Sequence, residues 1–264
     1  MHEKDAQKQA TETTIDGLLD NRIKLEQQAN GYRVAVDTVL LAAAVPAEPI
    51  DRVLELGCGV GGAMLCLASR VPSVAVMGVE IQHSLALLCR DNIVRNKIVA
   101  DLCVQVGDAT KLSPAFAGVF RHVMMNPPYH DEARHDASPQ AQKRVANTEK
   151  EGDLPLWIAN AAKSLRRKGS LTLIHRADRL DEIIKFLSPA FGKIEIYRIL
   201  PKVGAEPKRV VVRAYKDTDS DIQSRDFILH KADGGYTDEA EAILRKGEIL
   251  PGTPTRTDYD ILRD

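Results

Sequence analysis

The stretch Val53-Leu54-Glu55-Leu56-Gly57-Cys58-Gly59-Val60-Gly61-Gly62 decides the fold class of this 264-residue chain. Its first four residues form a short, mostly apolar run that predicts a buried strand. The glycines that follow let the backbone approach a ligand closely at the N-terminus of a helix, which we expect over residues 63–70. A strand, a glycine-rich turn and a helix in this order indicate an α/β domain with a mainly parallel sheet.

The glycine spacing does not by itself choose the ligand. It matches GxGxxG through Gly57, Gly59 and Gly62, the dinucleotide fingerprint, and also GxGxG through Gly57, Gly59 and Gly61. The next strand, residues 74–79, leads into Glu80, at the distance where a carboxylate typically meets a ribose diol. Because NAD and S-adenosylmethionine both carry an adenosine ribose, the pattern predicts nucleoside-type binding without choosing between them. A solvated helix N-cap is the alternative for Glu80.

Two further acidic residues are candidates for the same site. Asp108 follows the expected third strand, residues 102–106, and could accept a hydrogen bond from an adenine amino group or simply cap a helix. Glu55 lies inside the first strand, where an unpaired carboxylate would be costly. We therefore expect Glu55 to meet a donor, either the ammonium group of a ligand or backbone amides.

The tetrapeptide Asn126-Pro127-Pro128-Tyr129 follows an apolar run that reads as another buried strand. Two prolines stop the strand and fix the backbone at its carboxyl end, where ligands bind in open α/β sheets. The Asn126 side-chain oxygen and the Pro127 carbonyl can both accept hydrogen bonds from a planar amine such as adenine N6, drawing its lone pair toward sp3 character. Tyr129 can stack on the base. The alternative is an ordinary loop with an Asx turn.

Flanking segments define the expected organisation. Residues 1–46 would form a polar tail and a small cap, made of a hairpin (residues 22–27 with 32–34) and a helix over residues 38–45 with Asp37 as N-cap. Residues 47–250 would form the main domain and residues 251–264 a loose end. Residues 194–200 and 210–215 are expected to close the sheet as a hairpin, with residues 227–230 as one more strand candidate.

One basic cluster has two interpretations. Arg166-Arg167-Lys168 precedes Gly169 at the end of an expected helix over residues 154–165. The cluster would complement the helix dipole before a glycine cap, or it would contact RNA.

Composition narrows the class of protein. The net charge is −1, so any RNA contact must use a local patch. We expect a cytoplasmic protein, because no apolar run is long enough to span a membrane and the first residues contain no hydrophobic signal segment. The four cysteines lack paired CxxC spacing and are expected in the core. The polar stretch at 130–150 has no helical framework to fix ligands, so no metal site is expected.

Four stretches together resemble a known family. The family is that of the S-adenosylmethionine-dependent N6-adenine methyltransferases with an NPPY motif. Within this family, the sequence is similar to the bacterial tRNA1(Val) adenine-37-N6 methyltransferases. The resemblance covers residues 20–245 or so, and Gly234-Gly235-Tyr236-Thr237 also fits it. NPPY is shared with the glutamine methyltransferases that act on release factors, whereas the first stretch favours the tRNA group. The four stretches are Gly31-Tyr32-Arg33 with Asp37-Thr38-Val39-Leu40-Leu41, Glu55 to Gly61, Asn126 to Tyr129, and Gly204 to Arg209.

The resemblance implies a Rossmann-like methyltransferase fold with a seven-stranded, mainly parallel sheet and a small N-terminal cap. It implies S-adenosylmethionine as cofactor and the anticodon arm of a tRNA as partner. A protein glutamine N5-methyltransferase and an NAD-binding oxidoreductase remain alternatives, and a non-catalytic RNA-binding module is a third. The implied cofactor-binding residues are Asp37, Glu55, Gly57, Cys58, Gly59, Gly61, Glu80, Ile81, Asp108, Ala109 and Asn126, and the implied catalytic residues are Asn126, Pro127, Pro128 and Tyr129.

Overall fold

The structure is a computed structural model that describes residues 12–30, 33–128 and 154–254. Within these ranges none of the helices is both long and apolar enough to cross a membrane. The helices are α1 (Val36–Ala44), α2 (Gly62–Arg70), α3 (His83–Asn96), α4 (Leu154–Ser164), α5 (Leu180–Leu187) and α6 (Asp238–Lys246). The strands are β1 (Thr13–Leu18), β2 (Ile23–Gln28), β3 (Arg52–Leu56), β4 (Ala75–Glu80), β5 (Asp101–Val106), β6 (Phe120–Met125), β7 (Leu165–Arg176), β8 (Phe191–Lys202), β9 (Arg209–Lys216) and β10 (Asp221–His230).

The central sheet has the strand order β10-β8-β9-β7-β6-β3-β4-β5. Every neighbouring pair is parallel except those of β9, which runs antiparallel to both β7 and β8. The predicted mainly parallel α/β fold and the closing hairpin of β8 and β9 are confirmed. The expected count of seven strands is wrong, because β10 adds an eighth beside β8. Most side chains of β10 are polar and exposed, so the sequence pattern predicts a strand only at its end, around Phe227.

Apolar side chains alternate between the two faces of the sheet. In β3, Val53 belongs to one buried cluster, with α1, α2 and α3, while Leu54 and Leu56 belong to the other, with α4 and α5. A strand projects successive side chains to opposite faces, so this near-continuous apolar run indicates a strand covered on both sides. The sheet is therefore the middle layer of three. Because helices cover both of its faces, a ligand site must form at the ends of its strands.

The N-terminal region differs from the prediction in two ways. β2 pairs with β1, which lies partly in a segment expected to be disordered. Of the expected partner strand, residues 33–34 are described and lie in no strand, and residue 32 lies outside the described residues. The side chains of β1 are mostly exposed, so its sequence carries no apolar alternation to reveal a strand. The N-cap of α1 is Ala35, and Asp37 lies in the first helical turn. The expected Asp37 cap is therefore wrong.

A buried arginine joins distant parts of the chain. Arg213 of β9 is fully buried and binds Glu195 of β8 through Nε and Oε2 at 2.7 Å. Its Nη1 donates to the carbonyl of Ala44 at 2.7 Å and to Thr253 Oγ1 at 3.0 Å. Thr253 lies in the segment that was expected to be loose, and this bond holds it against the core. The division into cap, main domain and C-terminal end stays a prediction.

The cysteines are free, and three of the four are buried as expected. The expectation is wrong for Cys103, which is exposed because β5 is an edge strand with little cover.

Candidate functional site

The strand register brings the candidate residues to one edge of the sheet. Leu56 at the end of β3 pairs with Val79 of β4 on one side and with Met125 of β6 on the other. The residues that follow these strands, Gly57 and Asn126, therefore lie about one strand spacing, ~4.8 Å, apart. The glycine turn, Glu80 and the NPP segment thus meet at the carboxyl ends of neighbouring parallel strands, where α/β sheets bind ligands.

The glycine turn has a left-handed backbone at three positions. The φ angles are +68° at Gly57, +54° at Gly59 and +89° at Gly61, which residues with a Cβ rarely adopt. A Cβ on Gly57 would lie 2.7 Å from the Trp157 ring, and one on Gly61 would lie 2.7 Å from Cys89 Sγ. These two glycines are therefore required by packing as well as by backbone conformation.

Gly59 differs from its neighbours because no atom of the described residues lies within 4 Å of the position that a Cβ would take there. Its backbone N–H donates to Glu80 Oε2 at 2.8 Å, which fixes the orientation of the turn. The face of the turn at Gly59 is thus open to an approaching ligand.

Glu80 is buried and held between two backbone amides. Its Oε2 accepts from Gly59 and its Oε1 from the N–H of Gln82, each at 2.8 Å. Burial raises the pKa of Glu80, and these backbone hydrogen bonds oppose that rise. The residue is only 5 % exposed, which rules out the solvated N-cap. These backbone amides do not fill the roughly four acceptor positions of a carboxylate, so part of its acceptor capacity is left for a diol.

Glu55 finds its donor within the chain. Its Oε2 accepts from the backbone N–H of Met64, in the first turn of α2, at 3.1 Å. Burial raises the pKa of Glu55 well above its ordinary value, Cys89 adds to the rise, and the Met64 bond opposes it. Of the two donors expected from the sequence, the structure shows the backbone amide.

Asp108 makes a local turn. Its Oδ1 accepts from the backbone N–H of Thr110 at 2.8 Å and from Thr110 Oγ1 at 2.6 Å, and Lys111 Nζ lies 3.4 Å from Oδ2. Partial burial acts to raise the pKa of Asp108, but the bonds from Thr110 and Lys111 outweigh it and lower the pKa. No helix begins at this point among the described residues, so the helix-cap alternative is wrong, and the role in adenine binding stays a prediction. Ala109 is buried, and its carbonyl accepts from Asn160 Nδ2 at 3.0 Å.

The NPPY segment is described as far as its third residue. Asn126 is half-buried, Pro127 is buried and Pro128 is exposed, directly after β6. Tyr129 lies outside the described residues. The prolines therefore stand where the sequence analysis placed them, next to the glycine turn.

Two side chains at this edge were not assigned to the site from the sequence. Arg209 Nε binds Asp37 Oδ2 at 2.8 Å, joining the start of β9 to α1. Arg209 pairs with Arg176 at the carboxyl end of β7, so this ion pair also lies at the site edge. Trp157 of α4 lies under Gly57 and is 2 % exposed. The sequence contains one indication of this position, since Trp157 is the single tryptophan and lies in an amphipathic helix.

Comparison with known proteins agrees with this geometry. The model of the methyltransferase small domain matches residues 31–200, well over half of the chain. The chain belongs to this family. Membership in the methyltransferase small domain family disfavours the NAD-binding oxidoreductase and the non-catalytic module.

Named relatives show how far the similarity extends. A tRNA1(Val) (adenine(37)-N6)-methyltransferase of Porphyromonas gingivalis is 28% identical over 232 residues, covering 83% of this chain and 89% of the relative. The enzyme of that name from Haemophilus influenzae strain PittEE is 24% identical, covering 85% and 94%. A solved structure titled as a predicted O-methyltransferase, Atu636 of Agrobacterium tumefaciens, has a TM-score of 0.68 at 26% identity, covering 81% of this chain and 97% of that one. The family resemblance expected from the motifs is confirmed.

Proposed function

We propose that this chain transfers a methyl group from S-adenosylmethionine to N6 of an adenine in a tRNA. Support comes from its membership in the methyltransferase small domain family and from relatives named as tRNA1(Val) (adenine(37)-N6)-methyltransferases. The observation that carries the proposal is the placement of Asn126 and Pro127 one strand spacing from the glycine turn. The tRNA substrate implies activity in the cytoplasm.

The residues at the carboxyl edge suit a nucleoside cofactor. The open face at Gly59 leaves room for the cofactor against the backbone. The remaining acceptor positions of Glu80 would take the ribose hydroxyls. Ile81 follows Glu80 and is 50 % exposed, so its side chain would cover an adenine face. The bound cofactor supplies an electrophilic methyl group on a sulfonium.

Asp37 and Asp108 have narrower proposed roles. Asp37, fixed by Arg209, would stand over the cofactor entrance from the start of α1. Asp108 and Ala109 would border the adenine at the end of β5, with the Thr110 bonds fixing the carboxylate. Cys58, Gly57 and Gly61 would shape the turn rather than bind through side chains, since Cys58 is buried. Glu55 would hold the glycine turn in place through the hydrogen bond that it accepts from the Met64 N–H.

The acceptor amine would be held by two oxygens of the NPPY segment. Asn126 Oδ1 and the Pro127 carbonyl would each accept one N6 hydrogen, which turns the nitrogen lone pair toward the methyl group. Pro128 keeps this backbone fixed, and Tyr129 would stack on the base. No base is needed before transfer, because the methylated amine can lose its proton afterwards. Positioning then supplies most of the rate, since well-oriented reactants reach effective molarities of about 10⁵ M or more.

The acceptor base must leave its stack to reach this edge. Such extrusion costs least for a nucleotide in a loop, which suits an anticodon arm. A glutamine side-chain amide would also fit the Asn126 and Pro127 oxygens. The names of the relatives favour tRNA over this protein acceptor.

The test compares Asn126→Ala with Asn96→Ala, an amide removed from the far end of α3. Asn126→Ala should leave the cofactor Kd near that of the parent chain and remove turnover. Calorimetry measures the Kd, and radioactive methyl incorporation into tRNA or release factor measures turnover. Nucleoside mass spectrometry should find N6-methyladenosine in the tRNA. Equal turnover in both variants would contradict the amine clamp, and methylation of release factor alone would overturn the RNA substrate.

A further inference from the structure

A cluster of exposed cations lies at the opposite edge of the sheet. Arg166, Arg167 and Lys168 are consecutive and exposed at the start of β7. Lys163, at the end of α4, is exposed beside them, and Arg121 of β6 is half-buried next to them. We call these five residues the basic bulge. In a chain of net charge −1, they concentrate five positive charges at one place.

The helix-capping interpretation of these cations does not hold. α4 ends at Ser164, so Arg166, Arg167 and Lys168 lie in a strand and not in the last helical turn. The carbonyls at the end of α4 are bound by Lys216 of β9 instead. Its Nζ donates to Ala162 at 2.7 Å and to Leu165 at 2.9 Å. The local fold therefore does not require the consecutive cations for helix termination.

The backbone of the basic bulge has a defined and unusual shape. Lys168 has a left-handed φ of +56°, which is uncommon for a residue with a side chain. A Cβ on Gly169 would lie 2.8 Å from the carbonyl oxygen of Arg121 and 2.9 Å from that of Arg166. Arg121 Nη1 also donates to the carbonyl of Lys168 at 3.2 Å. These contacts fix the shape of the chain between β6 and β7 at this point.

Exposure, rather than the lack of partners, is what makes this cluster available. Asp217 lies 3.7 Å from Arg167 Nε, and the Arg167 side chain remains 88% exposed. Arg166 and Lys168 on either side of it are exposed as well. This run of three consecutive exposed cations is complementary in charge to a polyanion.

We propose that the basic bulge binds the phosphate backbone of the RNA substrate, away from the nucleotide that is methylated. This proposal rests on the proposed function, which brings a polyanion to the chain. Asn126 directly follows β6 and lies five positions after Arg121, so the two sites lie about 17 Å apart at opposite ends of this strand.

Phosphate contacts predict a particular energetic behaviour. They position the RNA without reading sequence, so they act on tRNA affinity and not on the chemical step. Each lost contact lowers the dependence of log affinity on log salt concentration by about 0.7–0.9. Losing three cations should therefore lower that slope by about 2.

The test neutralises three cations with Arg166→Gln, Arg167→Gln and Lys168→Asn together, since Asn tolerates the left-handed conformation. The matched control is Lys97→Asn, Lys185→Gln and Lys246→Gln. It removes three exposed cations elsewhere, and Lys97 also has a left-handed φ, of +50°. Both proteins are checked for an unchanged thermal unfolding midpoint and cofactor Kd.

The readouts are tRNA binding at several salt concentrations, and kcat and KM with a tRNA transcript and with a short single-stranded oligoribonucleotide. The bulge variant should bind tRNA at least tenfold more weakly, with a raised KM, an unchanged kcat and an unchanged KM for the oligonucleotide. Equal tRNA affinity and salt slope in the two variants would overturn the proposal. A parent chain that binds tRNA through the bulge but methylates no RNA would instead overturn the proposed function.

Discussion

Gly59→Ala separates cofactor binding from folding at the glycine turn. Gly59 and Gly118 have similar left-handed φ angles, +54° and +68°, and within the described part of the chain nothing lies within 4 Å of an added Cβ at either position. Each substitution should therefore cost about 1–2 kcal/mol of stability through backbone strain alone. Gly118 lies before β6, at the edge of the sheet opposite the glycine turn, and is the matched control.

Only the Gly59 variant should lose cofactor affinity. Its new methyl group would occupy the open face that the cofactor is proposed to use, and even a tenfold loss in Kd corresponds to about 1.4 kcal/mol. We expect a loss of ten- to hundredfold for Gly59→Ala and none for Gly118→Ala. Urea unfolding measures the shared stability cost, and calorimetry with S-adenosylmethionine measures the difference. Equal cofactor affinities in two folded variants would refute the placement of the cofactor against Gly59.

Three further predictions follow from buried charged and titratable groups. Glu80→Gln should weaken cofactor binding by tenfold or more in calorimetry, since it replaces a carboxylate acceptor beside the Gly59 N–H with an amide. Burial lowers the pKa of His122 from 6.5 to about 4, so the stability from its neutral form is fully present above pH 6.5 and is lost as the pH falls toward 4. Urea titrations should show this loss, about 3 kcal/mol at most, and His122→Gln should remove it. Arg213→Ala should cost about 3–5 kcal/mol of unfolding free energy, because Glu195 would stay buried without its partner.

Each of these outcomes has a clear contrary result. Unchanged cofactor affinity in a folded Glu80→Gln protein would contradict the ribose role. A parent chain and a His122→Gln variant with the same pH profile would show that His122 does not carry the dependence. An Arg213→Ala variant as stable as the parent would mean that solvent reaches Glu195.

The parts of the fold predicted correctly have strong local signals. Val53 to Leu56 form an apolar run next to glycines, and the helix expected over residues 63–70 is α2, Gly62–Arg70. The candidate site residues Gly57, Glu80 and Asn126 were selected because each lies at the carboxyl end of such a strand. Parallel strands bring those positions to one edge whatever their separation in sequence.

The errors arise where the tertiary structure decides the role of a side chain. Asp37 has the chemistry of an N-cap, but its carboxylate binds Arg209, a residue distant in sequence. Arg166 to Lys168 suit a helix end, but Lys216 takes that role from another strand. Thr13 to Leu18 form a strand mainly by pairing with β2, and pairing without burial leaves little trace in the pattern of apolar residues.

The single tryptophan of the chain has a practical consequence. Trp157 packs against Gly57, next to the proposed cofactor site. Because the chain has one tryptophan, all of its indole fluorescence reports on this place. A change in the conformation of the glycine turn would alter the surroundings of this ring directly. Stopped-flow fluorescence on the unlabelled chain can therefore follow the arrival of cofactor in real time, independently of any transfer to RNA.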